Sequence, residues 1–335
     1  MAALPGEFFV SAAQAELASI ARAVADPQRP LASLIGEMDR LRRVAERHCA
    51  LPMQASDRMT DGESFLDSGW AISPVQAALC AREPLRSAAF TRGLLQAVTQ
   101  RLRADRPVRV LYAGSGPFAL LALPLMALLS EQQVQLCILE VHAHTLGYAR
   151  ALIGELGYAG HVSDYICADA AAYRIPADGM PDVIISETMN TALGKEPQVA
   201  IMRNLHVQAP SAALLPAAVT VHLGLPRRTP EDACGEWGTV FALTAQTIAA
   251  WEEGALPAGE GSRLPGARLR LPAKLEQAPR LLTRIRVHGD VVLGDYDCSL
   301  NLPLPLPGKP VLTGGEVLDF TYMLGREPGL ACRIV

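Results

Sequence analysis

The sequence predicts an α/β fold: a doubly wound parallel sheet, with helices before it and a β-rich region after it. Three observations carry this. Between 108 and about 225, short apolar β-branched runs alternate with helical stretches, as strands joined by crossover helices do. The first of these passages, Arg109-Val-Leu-Tyr-Ala-Gly-Ser-Gly-Pro-Phe118, places Gly114 and Gly116 in a turn too tight for side chains. Beyond about 252 no helical stripe remains, only short alternating segments bounded by glycine and proline. The expected division is a helical segment or lid over 1–66, a ligand-binding sheet domain over 67–225 and a β-rich domain over 226–335.

Taken in order, residues 11–25 and 31–48 have helical spacing, punctuated by Pro27 and Pro30. Leu31, Leu34, Ile35, Met38, Leu41 and Val44 form one apolar stripe, which predicts a packed helical pair. A lid or a dimer contact is the functional alternative. Residues 50–68 are polar and turn-rich, with Ser56-Asp-Arg-Met-Thr-Asp-Gly62 at their centre. Helices are expected over 75–82 and 87–102, with Arg86 between them, where a guanidinium can grip a carboxylate with two hydrogen bonds. Strands follow at 108–111, 134–139, 162–167 and 182–186, with helices at 118–129, 143–157 and near 196–206. In the last third, strand-like stretches cover 281–293, 296–302 and 311–324, and 253–270 reads as a long loop. Pro303 to Gly308 reads as a rigid turn.

The candidate site collects at the strand ends. A strand–glycine turn–helix passage lets backbone N–H groups approach a ligand closely. Glu140 ends the second strand, 24 residues beyond Gly116, where an acid can hold a ribose diol. Together they predict a nucleoside pocket. Asp169, in Cys167-Ala-Asp-Ala170, closes the third strand and can accept from the exocyclic amine of a base. The fourth strand runs through Ser186 into Glu187-Thr-Met-Asn190, with Glu196 nine residues after Glu187. Open α/β sheets place ligands at these ends.

Composition narrows the classes. Lys and Arg total 30 against 34 Asp and Glu, a net charge of -4, which argues against nucleic acid as a partner. The longest apolar run, Phe118 to Ser130, is too short to span a bilayer, and no basic leader opens the chain. Seven scattered cysteines without a C-x-x-C pair read as buried free thiols in a reducing cytoplasm. His142 and His144 lie two apart with no cysteine nearby, so no metal site is expected.

These residues resemble a class I S-adenosylmethionine-dependent methyltransferase, with its Rossmann-like sheet, and more narrowly the protein arginine methyltransferase lineage. The resemblance covers 67–225 by motif and 281–330 more loosely, as that lineage's β-barrel-like domain. It implies S-adenosylmethionine as cofactor. Gly114 and Gly116 would carry its methionyl part, Glu140 its ribose, and Asp169 and Ala170 its base. Arg86, in a segment similar to D-x-x-R-T, would hold its carboxylate. Glu187 and Glu196 match the spacing of the lineage's paired glutamates, and Leu215-Pro216 resembles the start of its barrel. Tyr112 replaces the acid that opens the first motif, Phe118 replaces its third glycine, and a Thr-His-Trp segment is absent. The cofactor side is therefore reproduced and the arginine side is not. Methyl transfer to a small amino-acid-like or guanidino acceptor is the expected activity, with Glu187, Glu196 and Asn190 toward the acceptor. A second expectation follows from the similar azetidine-2-carboxylate synthases, in which the cofactor's own amine attacks its γ-carbon and methylthioadenosine leaves. Tyr112, Tyr173, Ser186 and Asn190 would then steady the cation and orient the amine. A third is a non-catalytic binding protein on the same fold. The lineage's relatives pair as dimers, which implies a homodimer.

Overall fold

The structure is a computed structural model describing residues 11–53, 59–226, 235–275 and 277–335. Cys234 and the Ser56–Arg58 part of the turn-rich stretch lie outside the described residues. Helix α1 (Ala12–Ala25) begins on a reciprocal cap: Ser11 Oγ accepts from the Gln14 amide at 3.1 Å, and Gln14 accepts from the Ser11 amide at 2.9 Å. After a tight turn at Leu31–Leu34, α2 (Ile35–His48) runs back along it. Leu17, Ile20 and Val24 pack with Leu34, Met38, Leu41 and Val44 in the core. The stripe is thus a packing face except at Ile35, which is exposed. Neither helix lines the cavity described below, so the lid expected of these helices is not formed by them.

Strands β1 (Ser64–Leu66) and β2 (Gly69–Ala71) form a hairpin in what reads, by sequence, as turn-rich chain. Three-residue strands carry too little alternation to announce themselves. Helix α3 (Pro74–Leu79) starts on a Ser73–Gln76 capping box. Helix α4 (Pro84–Thr99) starts three residues earlier than expected, because Pro84 fits the first turn, where its missing N–H costs nothing.

The central sheet comprises β3 (Val108–Ala113), then α5 (Leu123–Leu128), β4 (Val134–Glu140), α6 (Ala143–Glu155), β5 (Val162–Cys167), β6 (Val183–Ser186), α7 (Gln198–Gln208) and β7 (Ala213–Leu215). All pairings are parallel, in the order β5-β4-β3-β6-β7. The chain runs from β3 outward through β4 and β5 and then crosses back to β6 on the other side of β3, which opens a crevice at the strand ends between β3 and β6. The helix expected over 118–129 is shorter: Ala119 is left-handed at φ 41°, Leu120–Ala122 is a tight turn, and α5 begins one residue before Pro124.

The remainder is antiparallel, as expected of a β-rich region, and comprises β8 (Ala218–Leu225), β9 (Gly235–Thr244), α8 (Ala245–Glu253), β10 (Arg263–Arg270), β11 (Arg280–His288), β12 (Val291–Leu293), β13 (Leu304–Pro305), β14 (Val317–Met323) and β15 (Gly329–Ile334). One sheet runs β12-β11-β8-β9, with β13 on β11, and the other β10-β14-β15. The change of sheet therefore falls between β7 and β8, ahead of 225. Phe241 stacks between Tyr322 at 4.7 Å and Trp251 at 5.8 Å. Two expectations are corrected. Residues 263–270 form β10 and not loop, because a bulge between Pro265 and Arg268 lets the strand pair with β14 on both sides of Pro265-Gly266. Residues 296–302 form no strand; a tight turn at Ser299–Asn301 occupies them. Cys298 is a buried free thiol, whereas Cys167 is exposed. Among the described residues no helix is long and apolar enough to cross a membrane.

Candidate ligand-binding site

At the carboxyl ends of β3, β4 and β5, and beside the segment that follows β6, a cavity of about 130 Å³ that opens to solvent is lined from Leu66 to Ile201. The glycine turn makes its floor. Gly114 and Gly116 have φ of +73° and +63°, which L side chains rarely adopt. A Cβ on Gly114 would lie 2.2 Å from Thr188 Cγ2, so only glycine lets the segment after β6 close against the turn. Glu140 reaches back over it. Its Oε2 accepts from Gly116 N–H at 3.2 Å, and its Oε1 from Val141 and His142 N–H at 2.8 and 3.2 Å. Burial raises its carboxyl above the ordinary range, and these amide donors pull it partway back.

The far end is charged. Buried Arg86 donates from Nη2 to both carboxylate oxygens of Glu187 and from Nη1 to Glu83 Oε2 at 3.1 Å. The same Glu83 accepts from the amide and hydroxyl of Ser299, both at 3.0 Å, which ties the pair to the β-rich region. Glu187 holds the Arg86 guanidinium firmly protonated. Tyr112 lies on the wall, and its burial pushes the phenol well above its usual range, so it stays neutral. Burial also lifts Glu196 to about 7, helped by the neighbouring Glu187 charge. Such a group stabilises the fold below its unfolded value and loses that contribution as pH rises through its folded value. We expect the stability difference between the chain and its Glu196→Gln variant to change by about 3 kcal/mol between pH 4.5 and 7. Urea titration across that window measures it, and a constant difference places Glu196 in solvent.

The hairpin straps the cavity. Ser64 Oγ lies 3.0 Å from His142 Nε2, Ser68 Oγ donates to Asp169 Oδ2 at 3.1 Å, and the Trp70 amide donates to Lys195 O at 2.8 Å. The 187–197 segment is strained: Ala192, Leu193 and Lys195 have φ of 54°, 59° and 67°. Contacts from the β-rich region help to hold it. The Ala192 amide donates to Thr283 Oγ1 at 3.0 Å, Tyr322 Oη to Leu193 O at 2.7 Å, and the Lys195 amide to Pro328 O at 2.7 Å.

Arg86, Tyr112, Gly114, Gly116, Glu140, Asp169, Ala170, Glu187 and Glu196 thus share one wall. Three expected residues do not. Ser186 is fully buried behind the cavity lining and bonds Thr188 Oγ1 at 3.0 Å. Asn190 is used locally, accepting from the Thr191 amide at 2.8 Å as a cap. Tyr173 packs against the core, and its carbonyl is held by Asn204 and Gln208. Arg86 is present but committed to Glu187, where an open clamp was expected. Trp70, Cys80, Phe90 and Thr145 line the cavity without having been singled out by motif. The Ser73-Pro74 cap after Trp70 was the one available signal that the chain turns there toward the sheet.

No family model matches this chain, and no curated protein does. Among solved structures it is similar to the Trypanosoma brucei PRMT1 enzyme–prozyme heterotetrameric complex with AdoHcy, at 14% identity and a TM-score of 0.49 over 74% of this chain and 89% of that one. It is also similar to Arabidopsis thaliana protein arginine methyltransferase 10, a structure with a uniquely open conformation, at 13% identity and a TM-score of 0.48 over the same shares.

Proposed function

We propose that the chain binds S-adenosylmethionine and transfers its methyl group to a small amino-acid-like or guanidino acceptor. The observation that carries this is Glu140: a buried carboxylate held by three backbone amides, beside a glycine turn, at the switch point of a parallel sheet. Glu140 would take the ribose diol, Asp169 and Ala170 the base, and Arg86 the amino-acid carboxylate. Trp70, Phe90 and Tyr112 supply an aromatic wall suited to a cation. Bound there, the sulfonium supplies an activated methyl group.

What remains for the protein is to align the acceptor and take its proton. S-adenosylmethionine held there would supply a methyl group to an acceptor nitrogen and leave as S-adenosylhomocysteine, and the nitrogen's proton would pass to a carboxylate of this chain. Glu196, with a pKa of about 7, is poised for that proton.

A second reading is cyclisation of the sulfonium compound to azetidine-2-carboxylate. It is favoured by one observation: Glu187 already holds the chain's own guanidinium, so no paired-acid clamp stands open for an external one. Incubation of the purified chain with S-adenosylmethionine alone separates the readings. Methylthioadenosine with an imino acid supports cyclisation. Conversion to S-adenosylhomocysteine only when an acceptor is added supports transfer. Failure to bind the compound at all overturns both and leaves a scaffold protein.

A further inference from the structure

We infer that Tyr322 and Thr283, two buried hydroxyls of the β-rich region, are positioning residues that set Glu196 in the cavity; this rests on the reading above, in which Glu196 takes the acceptor's proton. The two side chains come from different sheets, Thr283 from β11 and Tyr322 from β14. Both are buried, at 1% and 0% exposure. They meet at consecutive residues of the segment that carries Glu187 and Glu196. Thr283 Oγ1 accepts from the Ala192 amide at 3.0 Å, and Tyr322 Oη donates to the Leu193 carbonyl at 2.7 Å.

Ala192 and Leu193 are where the segment most needs support. Both are left-handed, at φ 54° and 59°, a conformation that residues with a Cβ rarely adopt. Nothing local favours the bend, so distant contacts impose it. The path from there to Glu196 is short and closed. The Lys195 amide donates to Pro328 O at 2.7 Å, the Lys195 carbonyl accepts from the Trp70 amide at 2.8 Å, and the Glu196 amide donates to Gly194 O at 2.8 Å. A Cβ on Gly69 would lie 3.0 Å from both Lys195 O and Pro197 N, so the hairpin leaves this stretch no slack. The Tyr322 ring fills the core, stacked on Phe241 at 4.7 Å, and a phenylalanine would do the same. The hydroxyl serves the bend. Burial and the Glu187 charge keep the proton on Glu196, while Arg86 and Lys195 oppose them. The nearby Cys80 thiol is neutral, pushed up to about 11 by its own burial.

The test is a pH titration of the Glu196 carboxyl in the full chain, followed by the carbon-13 resonances of labelled glutamate, with Glu196→Gln identifying the signal. Tyr322→Phe and Thr283→Val each keep the shape of the side chain and remove its hydroxyl. We expect each to loosen the bend, hydrate Glu196 and lower its proton affinity about tenfold. Thr283→Ser keeps the hydroxyl and titrates as the parent chain does. A Tyr322→Phe or Thr283→Val chain in which Glu196 titrates as in the parent overturns the positioning role of that hydroxyl, whether or not Tm falls, since a loss of Tm alone marks a role in packing. A parent chain in which Glu196 titrates in the ordinary carboxylate range overturns both this inference and the reading of Glu196 as a buried proton acceptor.

Discussion

Glu140→Ala is expected to weaken binding of S-adenosylhomocysteine by a hundredfold or more, measured as Kd by calorimetry. In the proposed binding mode the carboxylate takes the ribose diol, and a hydrogen bond to a charged acceptor contributes about 1.5–3 kcal/mol. Two such bonds reach about 3 kcal/mol or more, which is two decades in Kd. The side chain also holds the Gly116, Val141 and His142 amides, so alanine frees the glycine turn as well. Glu140→Gln separates the two roles: it retains an acceptor oxygen for the turn while losing the charge, and an intermediate Kd is expected. If the alanine variant binds as the parent does, Glu140 is only a structural cap.

Glu187→Ala is expected to destabilise the chain by about 3–5 kcal/mol in urea unfolding, the range for removing one partner of a buried ion pair. Arg86 would keep Glu83 alone, a partner already shared with Ser299. The paired replacement Arg86→Met with Glu187→Met should recover most of the loss, because both charges leave together and their volume is filled. A loss below about 1 kcal/mol in the single variant would mean that the pair is solvated and behaves as a surface contact. In the proposed binding mode, an incoming carboxylate would have to draw Arg86 away from Glu187 or share it.

Much of this was readable along the chain because it is carried by local periodicity. The four longer strands of the parallel sheet, the stripe from Leu31 to Val44 and the glycine turn all follow from spacing within one element. Expectations failed where the deciding contact is distant. Residues 263–270 became a strand only because β14 pairs around their bulge. The hairpin at 64–71 is held by His142, Asp169 and Lys195, none of which is near it in sequence. Tyr173, Ser186 and Asn190 have the right chemistry, but core packing, a bond to Thr188 and a local cap, respectively, turn them elsewhere.

What the sequence determined by itself is the order of elements, the switch point and the acid beside it, since these depend on residues a few positions apart. The tertiary structure decided which of the polar residues face one cavity, that Arg86 is bound to Glu187, and that Tyr322 reaches the Leu193 carbonyl. Burial and charge pairing depend on groups a hundred residues away, such as Glu187 for Arg86, and no pattern within a single segment encodes them.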